Sequence, residues 1–305
     1  MASIAYVTDR KMIEFHRAYG NQMMNFWRPS SMKQFSQFNP GDYLFFLAKG
    51  TERFNGKEKG IVGYGKYNSA HTMSLRQMWN QYGTFNGYSS KDELAEAITK
   101  VNKNHEVGKS IHCLLLTDVV FFQAPVYPSE IGIVIPPNLE SYTYLDKFGV
   151  DSTVKILQKA QKTGIDAWQS AMDHTLNKDI FKEDVISHIL AKQISQVIDP
   201  TKPASKILKR FMTNMPESVE YIKGSKQALL KQMPLTLYLP LESNSKNKDQ
   251  ALFELIGKIS VLKESLKHES EFEKSDVIYC IISEIKLSAE WLKRLEQIDI
   301  QVIEG

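Results

Sequence analysis

Apolar and polar positions along this 305-residue chain keep two different rhythms, and the rhythm changes near residue 151. Before that point, short apolar runs are broken by turn residues. A helix is predicted from Asp9 to Tyr19, stopping at Gly20, and a shorter one after Ser31, where Gln34 completes a capping-box pattern. Asn39, Pro40, Gly41 and Asp42 then form a turn that launches a strand from Tyr43 to Ala48. Gly60 to Tyr67 (GIVGYGKY) reads as its hairpin partner across the polar loop TERFNGKEK. Ser90 with Glu93 opens a capped helix through about Val101. Ser110 to Gln123 reads as one long strand, or two broken at Asp118, and Ile131 to Ile135 as a shorter one.

After Asp151 the period becomes 3.6. Residues 179 to 198 place Ile180, Phe181, Val185, Ile189, Ile194 and Val197 largely on one side of a helix, which ends at the two prolines of DPTKPAS. Short helices are expected onward to Met233. The last seventy residues change again: strand LTLYLPLE, polar loop SNSKNKDQ, helix from Ala251 to about His268, strand VIYCIISE, helix AEWLKRLEQ, strand IQVIE. That alternation is the pattern of a small α/β layer with parallel neighbours. The fold class is therefore α+β. Three stretches are expected: 1–150, a helical connecting segment 151–233, and an α/β module 234–305 that joins the connecting segment in one C-terminal domain.

Composition narrows the function. Hydrophobic residues make up 42% and charged residues 24%, as in an ordinary globular protein, and no run of eighteen apolar residues could cross a bilayer. The first residues lack the basic start and apolar block of a secretory signal, so a cytoplasmic location without membrane partners is the expectation. Cys113 and Cys280 are too few for a disulfide framework or a four-thiolate metal site, and both sit in apolar runs that predict buried thiols. The net charge of +3 lies in the first half, where 16 Lys and Arg face 13 Asp and Glu. That half also holds 23 of the 32 aromatic residues. Cations interleaved with aromatics suit binding to an unstacked base or single strand, and a β-rich core concentrates aromatics as well.

Two chemistries are set aside. Gly60 to Lys66 satisfies G-x-x-x-x-G-K, yet Tyr67 stands where a phosphate-binding loop needs Ser or Thr, and no helix follows. Its glycines are better explained by strand bending or close approach. The seven histidines, among them His71, His105 and His112, form no H-E-x-x-H and no pairing with cysteine.

The informative constellation is Asn25-Phe26-Trp27-Arg28-Pro29-Ser30, then Phe38 to Gly50, then GIVGYGKY, then Trp79 to Gly87 before the capped helix. In this order it resembles the EVE/PUA-like superfamily over roughly residues 4 to 148. The resemblance implies a small, curved, open β-barrel with flanking helices that reads a modified or flipped base in DNA, or RNA, and a place in a restriction or phage-defence system. Trp27, Tyr64, Trp79 and Tyr82 are the stacking candidates, Asn25 and Asn86 the base-edge contacts, and Arg28, Lys49 and Lys66 the phosphate contacts. For any one of these aromatics the plainer reading is core packing, and Asn86-Gly87 could serve simply as a turn.

Residues 234–305 resemble, more weakly, half of a PD-(D/E)xK nuclease, in which a carboxylate and a Glu-x-Lys pair hold magnesium and orient water. Glu242 closes the candidate strand, but Asn244 stands where the lysine belongs. Glu217 or Glu220 would have to supply the acid, and Lys246, Lys248 or Lys258 the cation. A magnesium-dependent, modification-directed endonuclease is thus the alternative to a cofactor-free binding protein. An RNA-binding or protein-interaction module is the third reading, with a homodimer or protein partner held through the C-terminal half.

Overall fold

The computed structural model describes residues 2–28, 35, 37–53, 57–102, 110–173, 176, 179–199, 201–215, 219–242, 247–272 and 277–304. The helix expected after Ser31 and the tip of the hairpin loop lie outside them. The chain forms two compact units, 1–182 and 183–305.

The first unit contains β1 (Ser3–Thr8), α1 (Arg10–Ala18), β2 (Met24–Arg28), β3 (Tyr43–Arg53), β4 (Glu58–Met73), α2 (Leu75–Tyr82), α3 (Lys91–Val101), β5 (Ile111–Val126), β6 (Tyr142–Tyr144), α4 (Ser152–Thr163) and α5 (Ala167–Met172). N-caps form at Asp9 and Ser90: Asp9 accepts from the Lys11 amide, and the Ser90 hydroxyl from the Glu93 amide. Here the Glu93 carboxylate reaches Ser89 rather than Ser90. A capping box that the apolar rhythm hides, Ser74 with Gln77, starts α2.

Six strands form one sheet in the order β2-β5-β4-β3-β1-β6, with β1 and β3 parallel and the other pairs antiparallel. Among the described residues β2 and β6 do not pair, so the expected barrel is not closed by hydrogen bonds. Rings bring the curled ends together instead: Phe26 of β2 meets Tyr6 of β1 edge-on, with centroids 4.8 Å apart. The concave face is filled by Ile4, Met24, Phe26, Leu44, Phe46, Leu116 and Phe121. The glycines of GIVGYGKY let strands approach. A Cβ on Gly63 would stand 2.4 Å from the Val120 carbonyl oxygen, and one on Gly60 2.6 Å from Pro125.

Three expectations need correction. Residues 131–135 form no strand: a 3-10 turn at Pro128–Ile131 passes into irregular backbone, and the short strand is β6 instead. Sequential alternation was too brief there to outweigh the proline at each end. The strand at 110–123 is continuous through Val126, but Asp118 takes a φ of +48° and the register with β4 slips nearby, so the suspected break is a bulge. Finally, 151–173 folds onto the first sheet rather than with the C-terminal half. Ile165 bridges to Phe122, and the Gln169 side chain accepts from the Phe121 amide at 2.8 Å while donating to the Val119 carbonyl at 2.7 Å. A buried glutamine closing two backbone groups anchors this segment more firmly than its helical period alone reveals.

α6 (Asp179–Val197) spans the division between units. The second unit then contains α7 (Lys206–Asn214), β7 (Glu220–Tyr221), β8 (Leu229–Lys231), β9 (Thr236–Pro240), α8 (Lys248–Lys267), β10 (Ile278–Ser283), α9 (Ala289–Glu296) and β11 (Ile300–Glu304). Its sheet runs β11-β10-β9-β8-β7, and β9, β10 and β11 are parallel, as their alternation with helices predicts. The strands β7 and β8 replace part of the expected helical segment. Both cysteines are buried and free. No helix among the described residues is long and apolar enough to cross a membrane.

Candidate nucleic-acid interface

Strand geometry separates the residues singled out on β2. Successive side chains alternate, so Asn25 and Trp27 face one way and Met24, Phe26 and Arg28 the other.

On the first side, α2 and the turn after it deliver Asn86, fully buried, to β2. Its amide nitrogen donates to the Gly83 carbonyl at 2.7 Å, its amide oxygen accepts from Asn25 at 2.7 Å, and its backbone oxygen accepts from the Trp27 indole at 3.1 Å. Trp27 packs on Tyr88, while Trp79 and Tyr82 line the same apolar cluster with Met78, Leu94 and Ile98. Burial pushes the Tyr82 and Tyr88 hydroxyls up from their ordinary value, Tyr88 with added help from Asp9 and Glu93. Five of the predicted reader residues thus meet in one clamp held by the Asn25–Asn86 and Trp27–Asn86 bonds, with Asn25 Oδ1 and the Tyr82 hydroxyl left without a partner among the described residues. Tyr64 is elsewhere, fully buried among Tyr43, Phe45, Phe122 and Phe181. Lys49 is exposed and paired with Glu140 at 3.5 Å, and Lys66 pairs with Asp118 at 3.3 Å.

On the other side, Arg28 lies among rings that sequence reasoning did not select. Its guanidinium sits 4.4 Å from the Phe35 centroid and 5.9 Å from that of Tyr6. Tyr6 stacks on Tyr142 at 5.8 Å, and Phe35 meets Tyr142 edge-on at 4.7 Å and Phe38 at 5.2 Å. Phe38 stacks on Tyr67 at 4.9 Å, and Tyr142 touches Tyr144 at 5.9 Å. All but Phe38 are half-buried, and all of them pack against the concave core. The one signal that could have found them is the alternation Tyr142-Thr143-Tyr144, which puts two phenols on one face of an edge strand. Arg28 is only 3% exposed, yet Nε and Nη2 have no hydrogen-bond partner among the described residues. Opposite it on β5, His112 is held below its ordinary value by burial and by the Arg28 charge.

The C-terminal carboxylate Glu242 is exposed just beyond β9, with Glu220 exposed on β7. Asn244, Lys246 and Glu217 lie outside the described residues. Among the described residues no group of three or more His, Cys, Asp or Glu is placed to hold a metal.

No protein-family model matches the chain, and no curated protein matches it. Among solved structures it is similar to ASCH from Zymomonas mobilis, at 12% identity over 51% of this chain and 94% of that one, with a TM-score of 0.35. A point variant of the same protein gives 12% identity, 51% and 96% coverage and a TM-score of 0.36.

Proposed function

We propose that the first unit binds nucleic acid at the ring cluster around Arg28, taking an unstacked base against Tyr6, Phe35 or Tyr142. The observation that carries this is a set of half-buried aromatic faces gathered around a cation beside the concave core of the first sheet. Stacking on such rings yields roughly 1 to 3 kcal/mol per base, enough to offset the few kcal/mol of taking a base out of a duplex. The resemblance to modified-base readers refines the ligand to a modified or everted base in DNA, in a restriction or phage-defence setting, with single-stranded RNA as the competing ligand.

Binding of one sequence as single-stranded RNA, single-stranded DNA, plain duplex and duplex carrying a modified cytosine tests both levels. Modified duplex is expected to bind most tightly, and Tyr142→Ala to weaken binding of every strand about tenfold while leaving the fold intact. Equal binding of plain and modified duplex removes the refinement. Wild-type binding that Tyr142→Ala and Phe35→Ala leave unchanged removes the site.

A further inference from the structure

Arg28 presents a problem that the ring cluster alone does not solve. Removing a guanidinium from water is costly unless anions or acceptors replace its hydration, and rings replace it only in part. Among the described residues the neighbours of Arg28 are Phe35, Tyr6 and its strand partner His112, none of them anionic. The two donors left open, Nε and Nη2, belong to one edge of the guanidinium. That edge carries two parallel N–H bonds and matches an acceptor with two oxygens, as phosphate and carboxylate have.

Resting on the nucleic-acid reading above, we infer that Arg28 is the seat of a terminal phosphate, so that the cluster takes the phosphorylated end of a strand with its end base stacked on the rings. A terminal phosphate is favoured over an internal phosphodiester by depth. Arg28 is almost wholly covered, and an internal phosphodiester brings a sugar on each side, whereas a terminal group enters with one. The rings beside the guanidinium, Tyr6 and Phe35, are themselves half-buried. The cation is already ordered by strand pairing with His112 and by its ring contacts, which lowers the entropy lost when the anion arrives. A lysine could not substitute, because an ammonium offers no fork.

The test uses the full chain and one fluorescent single-stranded oligonucleotide in three forms: 5′-phosphorylated, 3′-phosphorylated and unphosphorylated. The wild type is expected to bind one phosphorylated form at least tenfold more tightly than the unphosphorylated one. Arg28→Lys and Arg28→Gln should bind all three alike, at the unphosphorylated level. Tyr142→Ala should weaken all three in parallel and keep the preference. Equal affinity of the wild type for the three forms, or a preference that survives in Arg28→Lys, overturns the inference and leaves nucleic-acid binding standing. If no oligonucleotide binds, inorganic phosphate is titrated against the amide resonances of β2 and β5. Shifts there, absent in Arg28→Lys, uphold the anion seat while the nucleic-acid reading fails; no shifts remove both.

Discussion

Asn25 and Arg28 lie three residues apart on one strand and are almost equally buried, but their surroundings treat them differently. Asn25 donates to Asn86, which is tied in turn to the Gly83 carbonyl and the Trp27 indole, and leaves only its own Oδ1 without a partner among the described residues. Arg28 meets rings, and two of its donors face no partner among the described residues. A neutral buried amide tied through its donor fixes structure even with one acceptor open, whereas a buried cation whose donors stay open in the free protein costs more stability until an anion binds. This contrast moves the candidate site from the tryptophans and asparagines to the arginine beside them.

The largest effects expected concern how each unit handles buried ionisable groups. Burial holds His16 and His188 at about 4, against 6.5 in a solvated chain, so the unfolded chain takes up these protons first. Stability from each imidazole is then constant above pH 6.5, falls as pH drops towards 4, and levels off below, by about 3 kcal/mol in all. In the first unit, burial holds the Asp42 carboxyl up at about 6, against 3.8. Its protonated form favours the fold at low pH, and that advantage is lost as pH rises from 3.8 through 6, so it opposes His16 over most of the same window. In the second unit Lys192 and Lys223 push the His188 ring further down, and Asp184 opposes them with a smaller effect. Urea midpoints measured from pH 7 to 4.5 should fall for the wild type, stay nearly flat for His188→Gln, and fall more steeply for Asp42→Asn. A wild-type midpoint independent of pH would show that these groups are solvated.

Next in size is the clamp itself. Asn86→Ala leaves the Asn25 amide without its acceptor and the Gly83 carbonyl without its donor, and should cost about 3 kcal/mol by chemical denaturation. Arg28→Met should behave oppositely. Replacing an open buried cation with an apolar chain of similar length is expected to leave stability unchanged or raise it by about 1 kcal/mol, while removing the phosphate preference. If both substitutions destabilise alike, the contrast between the two sides of β2 has no functional meaning. The smallest effect belongs to Lys49. Its exposed pair with Glu140 is worth at most about 0.5 kcal/mol, so Lys49→Ala should change stability little and binding only through ionic strength.

The helices with caps, the β3–β4 hairpin and the strand-helix alternation after residue 234 were legible because each rests on contacts local in sequence. β1 and β2 were not: Ser3–Thr8 and Met24–Arg28 are short, and their strand character comes from partners far along the chain, Tyr43–Arg53 and Ile111–Val126. The proposed site was legible in the sequence only in part. NFW runs into Arg28, which was among the residues named, yet Tyr6, Tyr142 and Tyr144 of the proposed site come from opposite ends of the unit's chain and meet only when the sheet curls.

By itself the sequence determined an α+β chain with an aromatic, mildly basic first half, buried thiols and a parallel C-terminal layer, because period, capping residues and charge are properties of neighbours along the chain. Only the tertiary structure decided which polar side chains are spent on one another and which remain open. That outcome depends on where distant strands and helices bring their donors and acceptors, and hydrogen bonds are satisfied in space, not in sequence.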